Sequence, residues 1–344
     1  MADSRAVPFR PKAYRSEPNR PEAYRAEPNS ARLPWTGLAA LAVVYLVWGS
    51  TYLAIRIAVR DGSGFPPFAM AAMRALLAGS VLLGASRLLG HRLRLSRREL
   101  GLLVASGLLM WLGGNGLVVW AEQHADSGYA AVVVGSTPIW VATINALLDR
   151  RAPSPLLLVA LALGLTGVAV LSGLLVLPGE PGEPWRALGG LDGGARRVAS
   201  AEVDVLALAA LLGASVTWSL GTVLQRRQPV DVSPQVSSAY QLLFGGIAFL
   251  VLTLARREPV PHPTPEAWLA WLYLVVFGSL LAFTAFISML RLLPPNVAMT
   301  YSYVNPVVAV FLGWLVLAEP LTAWTLVGVG LVLVGVAGVY RSRR

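Results

Sequence analysis

The sequence has no cysteine, three histidines and a single lysine. Without cysteine the chain can form no disulfide and hold no thiolate nucleophile or thiolate metal site. His91, His124 and His262 stand far apart between apolar stretches, so no zinc-ligand spacing exists and no metal site is expected. Charged residues are 13% of the chain, where about 25% is usual in a soluble domain. No acid falls in the middle of an apolar stretch: Glu122, Asp149, Asp204 and Glu319 all read as stretch ends. Paired buried aspartates for intramembrane proteolysis are therefore missing, and no base lies in a stretch beside a serine. No catalytic residue and no cofactor is expected, and the chain does not read as an enzyme. A buried carboxylate of the kind that carries protons across membranes is also missing on this reading.

Apolar residues are what the chain has in excess, at 56% against about 45–50% in ordinary domains. A hydrocarbon core about 30 Å thick needs roughly 20 helical residues. Stretches of that kind run over 35–59, 66–88, 101–121, 129–148, 155–177, 203–223, 235–255, 267–290, 295–317 and 321–340. The expected fold class is an all-α integral membrane protein with ten transmembrane helices. Residues 1–34 differ, with a tandem repeat, PKAYRSEPNR then PEAYRAEPNS, rich in Pro, Glu, Arg and Asn. Too few apolar groups are present there to offset chain ordering, so a disordered cytoplasmic tail is expected. It lacks the apolar core and cleavage site of a signal peptide, so the first span is expected to stay on the protein.

The net charge of +10 follows topology rather than nucleic acid. With the amino terminus inside, segments on the cytoplasmic side hold 20 Lys and Arg residues and the outer connectors hold 6, while Arg56 and Arg74 fall within spans. That asymmetry is the positive-inside pattern. Both termini are expected in the cytoplasm, the bilayer is the expected surrounding, and no nucleic-acid partner is expected. Nothing in the sequence sets an oligomeric state.

The chain also repeats itself. Residues 136–171 align without a gap on residues 304–339, a spacing of 168, pairing Pro138 with Pro306, Ser154 with Thr322 and Gly167 with Gly335. Two five-span repeats result, 35–177 and 203–340, joined by an extracytoplasmic connector over 178–202. An odd span count per repeat places the second upside down, the construction of many secondary transporters with a substrate site between repeats.

These residues resemble a known family. WGSTYLAIR in the first span, MRALLAG in the second, and a Pro-centred span followed by an acidic turn (LLDRRAPS, then LAEPLT) are similar to the EamA-type transporters of the drug/metabolite transporter superfamily. The resemblance covers about 38–340. It implies a ten-helix bundle in the bacterial cell (inner) membrane, with both termini inside, and efflux of small metabolites, amino acids or drug-like compounds. Asp149 stands where the family commonly has Glu, and its shorter carboxylate is expected to pair with a nearby Arg. The rival function class is a non-transporting membrane sensor or lipid-handling protein.

The substrate would be met by polar and aromatic side chains away from the span ends. Trp48 and Thr51, Trp111 and Asn115, Trp140, Trp218, Gln241, Phe283, Tyr301 and Asn305 are the candidates, lining a mostly apolar pocket with a few polar handles. Arg74 lies roughly 12 Å along its helix at about 1.5 Å per residue, too deep to reach water easily. It reads either as an anion-recognising cation or as a structural arginine bonded to neighbouring helices. Arg56 lies near the outer end and is expected to snorkel. Trp35, Trp120, Trp268, Trp271 and Trp324 read as interfacial anchors. Pro138 and Pro306 would kink matched helices, and Gly164, Gly167, Gly173, Gly328, Gly335 and Gly338 would let helices approach closely.

Overall fold

The computed structural model describes residues 33–150, 155–171, 194–319 and 321–341. The expected disordered tail (but for its last two residues), most of the 178–202 connector, the far end of the fifth span and Gly173 lie outside the described residues. Among the described residues every regular element is helical. The crossing helices are α1 (Trp35–Val59), α2 (Pro67–Leu88), α3 (Arg97–Ala121), α4 (Ser127–Leu148), α5 (Pro155–Leu171), α6 (Gly194–Arg227), α7 (Pro234–Arg256), α8 (Pro265–Leu292), α9 (Tyr301–Leu317) and α10 (Ala323–Arg341). Seven of them are long and apolar enough to cross a membrane by themselves; α5, α9 and α10 carry shorter apolar stretches, Leu158–Gly167, Val304–Leu317 and Ala323–Gly335. Large apolar side chains such as Leu46, Leu77, Leu206, Ile247, Val251, Phe311 and Trp314 are exposed around the bundle, which suits a lipid surrounding and not water.

Helix starts follow local chemistry. α3 begins four residues ahead of its apolar stretch because Ser96 and Glu99 form a capping box, with Ser96 Oγ accepting from the Glu99 amide at 3.2 Å and Glu99 Oε2 accepting from the Ser96 amide at 2.8 Å. Ser233 and Thr264 cap α7 and α8, each followed by a proline at the first helical position. α6 starts at Gly194, inside the expected connector, where the run ARRVASAE favours helix. The starts of α2 and α4 are capped from afar. Glu258 accepts from the amides of Phe68 and Ala69 at 3.1 and 2.7 Å, and Glu319 from those of Ser127 and Gly128 at 2.9 and 3.1 Å. Each carboxylate comes from the second half of the chain and sits at the positive end of a first-half helix dipole.

These contacts gather the connectors into two ends. At one, here called the Glu122 end, His262 and Thr264 donate their amides to Gly64 and Ser63, beside the Glu258 and Glu319 caps. At the other, the Asp231 end, Arg92 bridges Glu99 and Asp231, His91 Nδ1 lies 3.2 Å from Ser233 Oγ, and Arg291 donates to the Val232 carbonyl. Asp149 pairs there with Arg227 at 2.8 Å, not with its neighbour Arg150.

The two halves pack with a reciprocal pattern. α5 lies against α10 and α2 against α7; α1 packs on α8 and α9 as α6 packs on α3 and α4; the middle of α3 meets α7 as the middle of α8 meets α2. Exchanging the halves maps the α5–α10 and α2–α7 pairings onto themselves and each of the others onto its counterpart. The α5–α10 contact is made by backbone. A Cβ on Gly335 would lie 2.7 Å from the Gly164 amide nitrogen, and one on Gly167 would lie 2.8 Å from that of Val332. Small residues therefore serve here as close-approach points.

Three local departures from α-helix position the interior. Over Leu108–Asn115 in α3 and Leu274–Leu281 in α8 the hydrogen bonding widens to the π pattern, eight residues in each half. α4 breaks at Gly135–Ser136, and Pro138 sits in the first turn of the restarted segment. The matched proline behaves differently: Pro306 lies inside α9, while the break there comes earlier, at Met299–Thr300 after a short Pro295–Ala298 turn. The two prolines thus take different places in their helices. Gly135 instead faces Pro306, where an added Cβ would be 2.8 Å from Cγ.

Candidate functional site

Between α1, α2, α3, α4, α6, α8 and α9 lies a cavity of about 650 Å³ including its mouth. Its wall holds Trp48, Thr51, Tyr52 and Ile55 from α1; Arg74 from α2; Trp111, Gly114, Asn115 and Val118 from α3; Val134 and Thr137 from α4; Ala214 and Trp218 from α6; Gly278 from α8; and Tyr301 and Asn305 from α9. The π segments of α3 and α8 supply Trp111, Gly114, Asn115 and Gly278, and the break in α4 separates Val134 from Thr137. The three irregular stretches are therefore where the cavity is.

Aromatic rings build one side. Trp48 meets Trp218 edge-on at 5.4 Å, Phe286 at 4.8 Å and Tyr301 at 5.8 Å between centroids. These are separations at which rings attract beyond simple burial. Trp48 Nε1 donates to the Gly278 carbonyl at 3.2 Å, which fixes its ring against α8. Thr51 Oγ1 donates to the Trp48 carbonyl at 2.8 Å within its own helix.

Arg74 forms the polar side. It is 3% exposed; Nε donates to Ser279 Oγ at 2.8 Å, and the guanidinium carbon lies 5.2 Å from the Trp111 ring centroid, a cation–π contact. Its Nη1 has no partner. Neither do Trp111 Nε1, Asn115 Oδ1, Tyr301 OH and Asn305 Oδ1, all buried. Buried polar atoms are nearly always satisfied, and each orphan costs roughly 1–3 kcal/mol. Five such atoms belong to residues of one cavity wall.

The structure brings together eight of the eleven sequence candidates: Trp48, Thr51, Arg74, Trp111, Asn115, Trp218, Tyr301 and Asn305. The other three lie elsewhere. Trp140 follows Thr137, the last α4 residue on the wall, and its indole donates to Ser136 Oγ at 3.3 Å. Gln241 is buried between α6 and α7, accepting from Gln225 Nε2 at 2.6 Å and donating to Ser237, so its amide is already satisfied. Phe283 stands behind the wall, 5.2 Å from Trp111, and backs the rings without lining the space.

Tyr52, one of the polar and aromatic residues inside the first span, joins the wall beside Thr51, four residues from Trp48. The sequence reading missed two features. Gly278 leaves no signal beyond being small. Glu122 is the larger miss: expected at a span end, it is 0% exposed, with neither carboxyl oxygen hydrogen-bonded. Arg56 is half-buried near the same end, where its Nη1 donates to the main-chain oxygen of Glu122 at 2.6 Å. Trp271, expected as an interfacial anchor, is 9% exposed and packs on Trp268 and Phe65. Among the described residues no group of three or more acids and histidines is placed to hold a metal ion.

Known proteins share the family and the fold. The EamA-like transporter family model matches residues 35–173 and again 205–341. The chain is 34% identical over 276 residues to the uncharacterized inner membrane transporter YedA of Escherichia coli, covering 80% of each. It is 26% identical over 309 residues to an S-adenosylmethionine/S-adenosylhomocysteine transporter of Chlamydia trachomatis, covering 88% of this chain and 89% of that one. A solved crystal structure superposes with a TM-score of 0.59 at 21% identity over 88% of this chain and 96% of its own, showing the same fold. With the family model matching both halves, and a relative of this similarity covered over most of its length, the chain is a membrane transporter and belongs to the EamA-like transporter family.

Proposed function

We propose that the protein is a secondary transporter that exports small metabolites or drug-like compounds by alternating access, holding an anionic group of its cargo at Arg74 and an aromatic or apolar body against Trp48, Trp111, Trp218 and Tyr301. One observation carries this reading: a buried guanidinium with an unpartnered Nη1 shares a cavity wall with four other unpartnered polar atoms. A cation in an apolar bundle interior is costly unless something uses it. The name of the chlamydial relative gives S-adenosylmethionine and S-adenosylhomocysteine as cargo. Both combine a carboxylate with an aromatic base, the same pairing of features, and support a metabolite class without naming the compound.

The reciprocal packing of the two halves supports the mechanism. Five crossing helices per half make the second half inverted, and two inverted copies can exchange conformations so that the cavity opens to opposite sides. The cysteine-free chain makes the test direct. Single cysteines replacing Val134 and Trp218, both on the wall, should react with a membrane-impermeant maleimide from one face at a time. Compounds that are carried should slow both reactions. Equal labelling from both faces at once would indicate a channel, and labelling from neither would place both residues in packed core.

A further inference from the structure

Glu122 ends the last turn of α3, its amide bonded to the Val118 carbonyl at 2.9 Å. Val118, one turn back on the same face, lines the cavity, so the carboxyl stands just beyond the cavity's Glu122 end. It is wholly buried, and neither oxygen accepts a hydrogen bond. Four carboxylates near helix ends differ: Glu99, Asp149, Glu258 and Glu319 each accept from at least one donor. The ionisable groups whose charges reach Glu122 come from every side. Arg56 belongs to α1, Arg74 to α2 and Glu319 to the α9–α10 connection, and Tyr52 of α1 faces it as well. α6, which packs on the outer turn of α3, presents no ionisable side chain between 205 and 225. On the connector itself His124 stacks edge-on to Trp120 at 5.8 Å.

Two of those groups, Arg74 and Tyr52, are on the cavity wall. A bare carboxylate in this apolar setting would pay heavily for desolvation, whereas a protonated one does not. Arg56 shows which form the geometry suits. Its guanidinium is beside Glu122 yet bonds the main-chain oxygen, leaving the carboxyl alone. Once the proton leaves, the same guanidinium needs only a small shift to pair with the carboxylate.

We propose that Glu122 is the proton-binding group of this transporter, with Arg56 as the residue that positions and compensates it. The carboxyl takes a proton from solution when the Glu122 end opens. It releases that proton through the cavity to the opposite solution when the Asp231 end opens, one proton per cycle. This inference rests on the alternating-access reading.

The experiment uses the full chain in sealed vesicles, with Val134→Cys as the reporter and its alkylation rate from each face followed against pH. Two conformations whose Glu122 proton affinities differ by one pK unit shift their populations about tenfold over the titration. The expected result is a labelling ratio that changes by about that factor through a single proton step. Glu122→Gln should freeze the ratio at its acid value, and Glu122→Asp should restore pH dependence at a displaced midpoint. Arg56→Gln, which removes a cation beside the acid, should move the midpoint to higher pH. Should Glu122→Gln fail to assemble, the Arg56→Gln midpoint decides, because a purely structural Glu122 would leave it in place. A pH profile indifferent to both substitutions overturns the proton role while one-sided labelling keeps alternating access intact. Labelling from both faces or neither at every pH overturns both.

Discussion

Arg74 shows how far single residues could be read. Its depth in α2 said that it faces protein or a wet cavity, and two alternatives stood open. The structure ties Nε to Ser279 and leaves Nη1 unpartnered on the cavity wall. Lysine at this position would keep the charge but lose the planar fork that bonds Ser279 and stacks on Trp111 together. A desolvated cation–π contact is worth about 2 kcal/mol, or more than tenfold in affinity. Arg74→Lys should therefore raise the half-saturating concentration of a carried anion by about tenfold or more while the protein remains folded in membranes. If Arg74→Gln transports such an anion with unchanged kinetics, Arg74 is structural alone. Glu122 was unreadable for a converse reason. Hydropathy places residues along a span, but the surroundings of a span end depend on the rest of the fold, and the charges of Arg56, Arg74 and Glu319 reach Glu122 from three other segments.

Elements were legible wherever their cause was local. The capping box of α3, the prolines opening α7 and α8, and the glycines of α5 and α10 are all sequence-local or periodic signals, and the helices they mark form near the expected places. Symmetry held less closely: of the aligned prolines, Pro138 sits in the first turn after the α4 break, while Pro306 lies inside α9 and the break there falls at Met299–Thr300. The π segments left no pattern that helix periodicity would flag, and so the parts of α3 and α8 nearest the cavity were the least visible. α10 offers an internal comparison. A Cβ on Gly335 would lie 2.7–2.9 Å from backbone of α5, whereas nothing lies within 4 Å of one on Gly330. Gly335→Ala should destabilise the bundle by about 1–3 kcal/mol, since backbone atoms cannot yield as side chains do. Gly330→Ala, facing open space, should leave stability unchanged or raise it by up to about 1 kcal/mol through helix propensity. Thermal unfolding of the two variants in the same detergent checks this, and equal melting temperatures would refute the α5–α10 contact as drawn.

At the scale of the whole molecule, ten crossings, two connector ends and the charge distribution must agree with one another. The Asp231 end gathers Arg87, Arg92, Arg94, Arg97, Arg98, Arg226, Arg227 and Arg291, while the Glu122 end has Arg60, Arg256 and Arg257. A membrane potential and anionic lipid both favour the arginine-rich end inside, and an even number of crossings then returns the carboxyl terminus to the same side as the amino terminus. The inverted relation of the halves follows from the same count, because five crossings carry the chain to the opposite face before the second half begins. Reporter fusions after Arg151, beyond α4, and after Arg344, beyond α10, should therefore both report cytoplasm. The two positions test different things. A periplasmic signal after Arg344 alone would mean that one of α5 to α10 fails to cross, with the shorter apolar stretches of α5, α9 and α10 the first suspects. A periplasmic signal after both would mean that the whole bundle is reversed, and that the charge asymmetry does not set its direction. With both inside, the Glu122 carboxyl lies toward the outer solution and the arginine-rich end faces the cytoplasm. That is the polarity a proton entering from outside and an anionic cargo leaving from inside would require.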